Sequence, residues 1–164
     1  MNQEEKVKEL LLLCRTSGLT LSSCESLTAG LFSATVASVS GASLVLKGGF
    51  VTYFTQMKEV LVHVPAELIE KEGVVSAACA RAMAENTRKL TDSDYAVSFT
   101  GNAGPNTMEN KPAGCVYCAI AGPEKTDIYH LQIDDAARNE VRRKAVEIML
   151  EELTAKIRRE NPAG

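Results

Sequence analysis

The sequence predicts an α/β protein, a three-layer α/β/α sandwich around a mixed, mostly parallel sheet. Three observations predict it. Helical periodicity stands near both ends of the chain, β-rich segments alternate with helical ones between them, and two late strands follow closely enough to form a hairpin. The alternation gives crossover connections and parallel pairs, and the hairpin adds an antiparallel pair.

Val7, Leu10, Leu11 and Cys14 fall at i, i+3, i+4 and i+7, one face of a helix that Ser17-Gly18 stops. Leu19 to Cys24 reads as a short strand, and Thr28 to about Val39 as a helix ending near Ser40-Gly41. Leu44 to Tyr53 is β-rich, with Gly48-Gly49 a bend or bulge inside it. Gln56 to Val62 is a short helix that ends before Pro65, and Pro65 itself opens another short turn. Ser76 caps a longer helix on which Ala80, Met83, Ala84 and Thr87 share a face. Tyr95, Val97 and Phe99 alternate with Ala96, Ser98 and Thr100, a strand signal, and Gly101 opens a loop to about Pro112. Cys115–Ala121 and Thr126–Ile133 are the hairpin strands, and Val141, Ala145, Ile148, Met149 and Leu153 line a final helix.

With 164 residues and no repeat, linker or low-complexity segment, the chain reads as one domain over 1–164. Hydrophobic residues at 45% argue against disorder. Aromatics are only 5%, so Ala, Val, Leu and Ile must build the core. A net charge of −3 offers no basic face for nucleic acid. The polar, acidic opening is unlike a secretory leader, and no apolar run reaches the roughly 20 residues of a bilayer span. The expectation is a cytoplasmic protein with no membrane partner, its 5 cysteines reduced.

In such sheets ligands sit beyond the carboxyl ends of the strands, where Ser26 and the Gly101–Pro105 loop both fall. Ser26 has two readings. It can cap the helix after it, as Thr28 could equally well, or it can be a nucleophile facing backbone N–H donors and a base. Histidine is a poor candidate for that base, because His63 and His130 lie at a helix end and on the less apolar face of a late strand. A desolvated lysine is the other route, and Lys58 follows the Gly48-Gly49 strand, although such a lysine alone more often faces solvent. Cys115 and Cys118 have C-x-x-C spacing, but inside a strand their thiols point to opposite faces and read as packing. Arg138, Arg142 and Arg143 can bind an anion or form a solvated face.

Together these segments resemble the CinA C-terminal family, the nicotinamide-nucleotide amidohydrolases. Glu25-Ser26-Leu27-Thr28-Ala29-Gly30 is similar to its Glu-Ser-Cys-Thr-Gly-Gly motif, and Gly48-Gly49-Phe50-Val51-Thr52-Tyr53 with Lys58 to its Gly-Gly-x-Val-x-Tyr-x4-Lys segment. Val75-Ser76, the Thr100–Pro105 loop with Lys111-Pro112-Ala113-Gly114, and Arg138 with Arg142 match further segments in order. The resemblance implies deamidation of nicotinamide mononucleotide, a small-molecule nucleotide, by a cytoplasmic homodimer or larger homo-oligomer that uses no metal and no cofactor. It implies Ser26 as nucleophile and Lys58, helped by Tyr53, as base, with the N–H groups of Thr28, Ala29 and Gly30 as oxyanion donors. It places Glu25, Gly48, Gly49, Thr100, Gly101, Ala103, Gly104 and Arg142 around the substrate. The amino-terminal domain fused to many relatives, with any second activity it houses, is not expected here.

The chain departs from the pattern at Leu27, Ala29 and Asn102, and its 106–110 loop lacks the usual Gly-Gly. These departures keep a second reading open, a domain that binds a nucleotide or protein partner without turnover.

Overall fold

The computed structural model describes residues 1–162. The chain runs α1 (Gln3–Ser17), β1 (Leu21–Glu25), α2 (Leu31–Ala37), a 3-10 turn (Ala42–Leu44), β2 (Leu46–Val51), α3 (Thr55–Val62) and α4 (Ala66–Glu72). It continues through α5 (Ala77–Thr91), β3 (Tyr95–Gly101), β4 (Cys115–Ala121), β5 (Thr126–Gln132) and α6 (Arg138–Glu160).

The five strands form one sheet in the order β2-β1-β3-β4-β5. β1 pairs in parallel with β2 and β3, while β4 pairs antiparallel with β3 and β5. Four strands therefore point one way, and β4 alone runs against them. The carboxyl ends of β1, β2 and β3 meet at one edge of the sandwich.

Strand alternation assigns the two faces. Val97, Phe99, Val116, Cys118 and Ile120 pack with the apolar stripes of α1, α2 and α6 into the larger core. Phe32 and Phe99 form a tilted pair there, with ring centroids 5.6 Å apart. The opposite face carries small and polar residues, Ala96, Ser98 and Thr100, under α5. Ala80 and Ala84 of α5 sit close on Ala119 and Ala121. The close approach lets the Ser98 hydroxyl donate to the Ala80 carbonyl (2.6 Å) and that of Thr100 to the Val74 carbonyl (2.7 Å). Each buried hydroxyl thereby avoids an unpaired-group cost of about 1–3 kcal/mol. Cys115 and Cys118 lie on opposite faces, as the strand reading expects.

Several boundaries differ from expectation for identifiable reasons. The Gly48-Gly49 bulge is present: Leu21 pairs with Leu46 but Ser22 with Gly48. Gly49 is required there, because a Cβ would stand 2.6 Å from the Ser23 carbonyl oxygen. The expected strand start at Leu44 is instead the end of the 3-10 turn. The helix expected from Thr28 begins at Leu31, since Ala29 (φ 48°) and Gly30 (φ 97°) both turn left-handed before it. Pro65 precedes a full helix, α4, and not a single turn. Ser76 caps α5 as expected, its Oγ accepting from the Cys79 N–H (3.1 Å). Among the described residues no helix is long and apolar enough to cross a membrane.

Candidate active site

Ser26 stands one residue beyond β1. Its N–H donates to the Phe99 carbonyl (2.9 Å), carrying the β1–β3 pairing past the strand end. The Ala29 N–H then donates to the Ser26 carbonyl (3.0 Å), closing a tight turn, and the Leu31 N–H to the Thr28 carbonyl (2.9 Å). Neither Ser26 nor Thr28 caps α2. Glu25 does: its buried carboxylate accepts from the N–H groups of Phe32 (2.8 Å) and Ser33 (3.1 Å) and from the Ser23 hydroxyl (3.1 Å). A carboxylate on the positive end of a helix is favourable, and it releases Ser26 from capping.

The Ser26 hydroxyl has a different partner. Lys58, from α3, is 1% exposed, and its Nζ donates to Ser26 Oγ (3.0 Å) and to the Thr52 carbonyl (2.7 Å). Burial in the apolar layer under α5 holds its amine below the ordinary lysine range. The cysteines in the same layer do not serve as thiolates, because burial pushes Cys79 up to about 12 and raises Cys24 too. A hydroxyl held against an amine whose pKa burial lowers is an arrangement suited to nucleophilic attack.

Ser26 and Leu27 open on a cavity of about 350 Å³. Tyr53, Phe54 and Thr55 line it from the end of β2, and Gly101, Asn102 and Ala103 from the end of β3. Asn106, Met108 and Arg138 complete it, Arg138 being the only cation among the described residues that line it. A larger groove, about 450 Å³, lies at the opposite end of the sheet among charged side chains of α5 and the β4–β5 turn. There the Thr126 hydroxyl donates to Glu85 Oε2 (2.5 Å), and the lysines that line the groove, Lys89 and Lys125, are exposed.

Several residues expected at the substrate are bonded to protein groups in this structure. Glu25 caps α2, and the Thr100 hydroxyl is bonded to Val74 under α5. Gly48 and Gly49 line a shallow depression of edge strand β2, apart from the Ser26 cavity, and serve strand approach. Gly101 and Ala103 do line the cavity, whereas Gly104 contributes its carbonyl, which accepts from Arg138 Nη1 (2.7 Å). Arg142 is occupied elsewhere: Nε donates to the Leu27 carbonyl (2.8 Å), Nη2 to the Thr28 carbonyl (3.1 Å) and Nη1 to Asn139 Oδ1 (3.0 Å). Tyr53 does not bridge Ser26 and Lys58, which touch directly. Its hydroxyl accepts from Arg138 Nη2 (2.7 Å).

The expected oxyanion donors narrow likewise. The Ala29 N–H is engaged by Ser26, while among the described residues those of Leu27, Thr28 and Gly30 have no protein acceptor. The buried Thr28 hydroxyl has none either. In a trans peptide the C=O and N–H point oppositely, so Arg142, by holding the Leu27 carbonyl, fixes where the Thr28 N–H points. His63 closes the C-terminal end of α3 and His130 stacks on Tyr117, so neither reaches the cavity. Among the described residues no group of three or more His, Cys, Asp or Glu is placed to hold a metal ion.

The sequence does not single out Phe54, Asn106 or Met108, and it offers Arg138 only as one of three arginines that can bind an anion. The rule that ligands lie beyond strand carboxyl ends would have found Phe54, next after Tyr53. Asn106 and Met108 lie in a loop with no periodic signal.

The CinA C-terminal domain family matches residues 3–157. The chain is 47% identical over 134 residues to a Streptococcus gordonii protein carrying the name competence-damage inducible protein, 82% of this chain and 32% of that one. A Geobacillus protein of the same name is 39% identical over 158 residues, 94% of this chain and 38% of that one. The chain thus spans about a third of the length of these curated relatives. Among solved structures, the competence damage-inducible protein A of Klebsiella pneumoniae superposes with TM-score 0.93 at 27% identity, covering 96% of this chain and 98% of that one. The competence/damage inducible protein CihA of Agrobacterium tumefaciens gives 0.90 at 31% identity, covering 93% and 94%.

Proposed function

Because the chain belongs to the CinA C-terminal domain family, we propose that it deamidates nicotinamide mononucleotide to nicotinic acid mononucleotide and ammonia, in cytoplasmic pyridine nucleotide salvage. The observation that carries this reading is the 3.0 Å contact between the Ser26 hydroxyl and a buried lysine amine.

In this mechanism the neutral Lys58 amine keeps one N–H on the Thr52 carbonyl and accepts the Ser26 proton along the existing contact. Ser26 Oγ bonds to the carboxamide carbon, and the carbonyl oxygen takes the negative charge beside the free N–H groups of the 27–30 turn. Lys58 returns the proton to the departing nitrogen, the C–N bond breaks, and ammonia leaves an ester on Ser26. Water, deprotonated by the same amine, hydrolyses that ester to the acid and restores the serine. Tyr53 and Phe54 give the pyridine ring an apolar flank, and Arg138 gives the phosphate a cation.

A second reading, nucleotide binding without turnover, draws on the Ala29 N–H, which the Ser26 carbonyl already occupies. Ammonia release from nicotinamide mononucleotide decides between them. Release by the native chain and none by Ser26→Ala supports hydrolysis, and binding without release in the native chain supports the second reading. Exposed Leu44, Val51, Phe54 and Val60 before, along and after edge strand β2 support self-association into a homodimer or larger homo-oligomer. Light scattering tests that part.

A further inference from the structure

We propose that Asn102 is a positioning residue that staples the 102–111 loop into a preformed cavity wall, and that Met108, which it places there, determines specificity for the ring-bearing end of the substrate. The proposal rests on the nucleotide reading above and adds residues that it does not use.

The loop has a problem to solve. Between Gly104 and Gly114 it contains no glycine, yet Glu109 (φ 59°) and Asn110 (φ 55°) are left-handed. Asn110 adopts this conformation readily, but for Glu109 it is unfavourable and persists only where surroundings impose it. Asn102 imposes it. Its buried side chain donates from Nδ2 to the carbonyls of Met108 and Lys111 (both 3.1 Å), and its Oδ1 accepts the Met108 N–H (3.1 Å). An amide of this shape offers two donors and an acceptor on one carbon, and all three are used on one loop. An apolar residue at 102 would leave the Met108 N–H without its acceptor and the Met108 carbonyl with only the Lys111 N–H (3.2 Å).

Two further anchors fix where the stapled loop lies. The Glu109 carboxylate accepts from the N–H groups of Val74 (2.8 Å) and Val75 (3.0 Å), and Lys111 Nζ donates to the Val75 carbonyl. The loop is thereby docked on the turn that leads into α5.

The consequence appears at the cavity. Met108 is 48% exposed while lining it, and Phe54 is 72% exposed on the same cavity. A thioether and an aromatic left open at a cavity suit a flat apolar ring, because sulfur and ring faces attract aromatic edges and faces.

The test measures binding of nicotinamide mononucleotide by calorimetry in a Ser26→Ala background, so that no turnover intervenes. Met108→Ala and the isosteric Asn102→Leu are each expected to weaken binding by about tenfold, and the double variant no more than Asn102→Leu alone, since one acts through the other. Hydrogen exchange at residues 103–111 is expected to rise in Asn102→Leu and stay unchanged in Met108→Ala. Additive losses, or unchanged exchange in Asn102→Leu with binding intact, overturn the role of Asn102. Unchanged affinity in Met108→Ala overturns the role of Met108. If the Ser26→Ala chain binds no nucleotide, the substrate reading and the specificity role fall together, while the exchange data still judge the staple.

Discussion

The Tyr53 hydroxyl accepts a hydrogen bond from Arg138 Nη2 at 2.7 Å, joining the end of β2 to the start of α6 across 85 residues. A second guanidinium nitrogen of Arg138 is held by the Gly104 carbonyl. Tyr53 is thus bonded to the cation of the cavity, while Ser26 and Lys58 touch without it. Tyr53→Phe is expected to raise KM by about tenfold, with kcat and its pH profile little changed. A shifted pH profile in that variant would return Tyr53 to the proton path.

Lys58 supplies a pH dependence with a definite sign. Burial lowers its folded pKa below the ordinary 10.5, so the rate should rise with pH through that lowered value as the amine becomes neutral. Stability follows the same direction. Between the lowered pKa and 10.5 the unfolded chain holds more protons, so unfolding free energy rises with pH across that window and the contribution is lost below it. Lys58→Met should flatten that rise, measured by denaturant titration at several pH values. Lys58→Arg should lose at least about 100-fold in kcat, since a guanidinium does not release its proton.

Arg142 holds two carbonyls of the turn that carries Ser26. Arg142→Ala is expected to lower kcat by about 100-fold with a smaller change in KM, and to speed amide exchange at residues 26–30. A pure KM effect would instead put its guanidinium on the substrate.

Gly49 and Glu25 act on stability. Gly49→Ala sets a methyl 2.6 Å from the Ser23 carbonyl oxygen and should cost about 2–3 kcal/mol in denaturant unfolding. Glu25→Ala removes the acceptor of two helix N–H groups and a serine hydroxyl, for a loss of about 3 kcal/mol. A stable Glu25→Ala variant that fails to bind nucleotide would restore Glu25 to the substrate.

The fold was legible where burial follows a period. Val7, Leu10, Leu11 and Cys14 mark α1 by spacing alone, and Tyr95, Val97 and Phe99 mark the inner face of β3. Ser26 and Lys58 are legible from the residues as one possible pair among several, and the resemblance singles them out, because nothing local to Lys58 signals that α3 buries it. A motif shows that Glu25 and Arg142 matter but does not reveal the backbone groups they hold in this structure. The start of α2 was misplaced because Ala29, a strong helix former, is held left-handed by a turn whose carbonyls are bonded by Leu31 and Arg142. Met108 carries no signal in the sequence, since its position is set by bonds from the Asn102 side chain and not by a periodic pattern.

The central claim is that Ser26 carries the acyl group, and the most direct measurement is the mass of the Ser26 peptide after rapid acid quench with nicotinamide mononucleotide. A mass increase equal to the acyl portion of the nucleotide, present in the native chain and absent in Lys58→Met, is the expected result. Steady ammonia release with no adduct on Ser26, or undiminished release by Ser26→Ala, would contradict it.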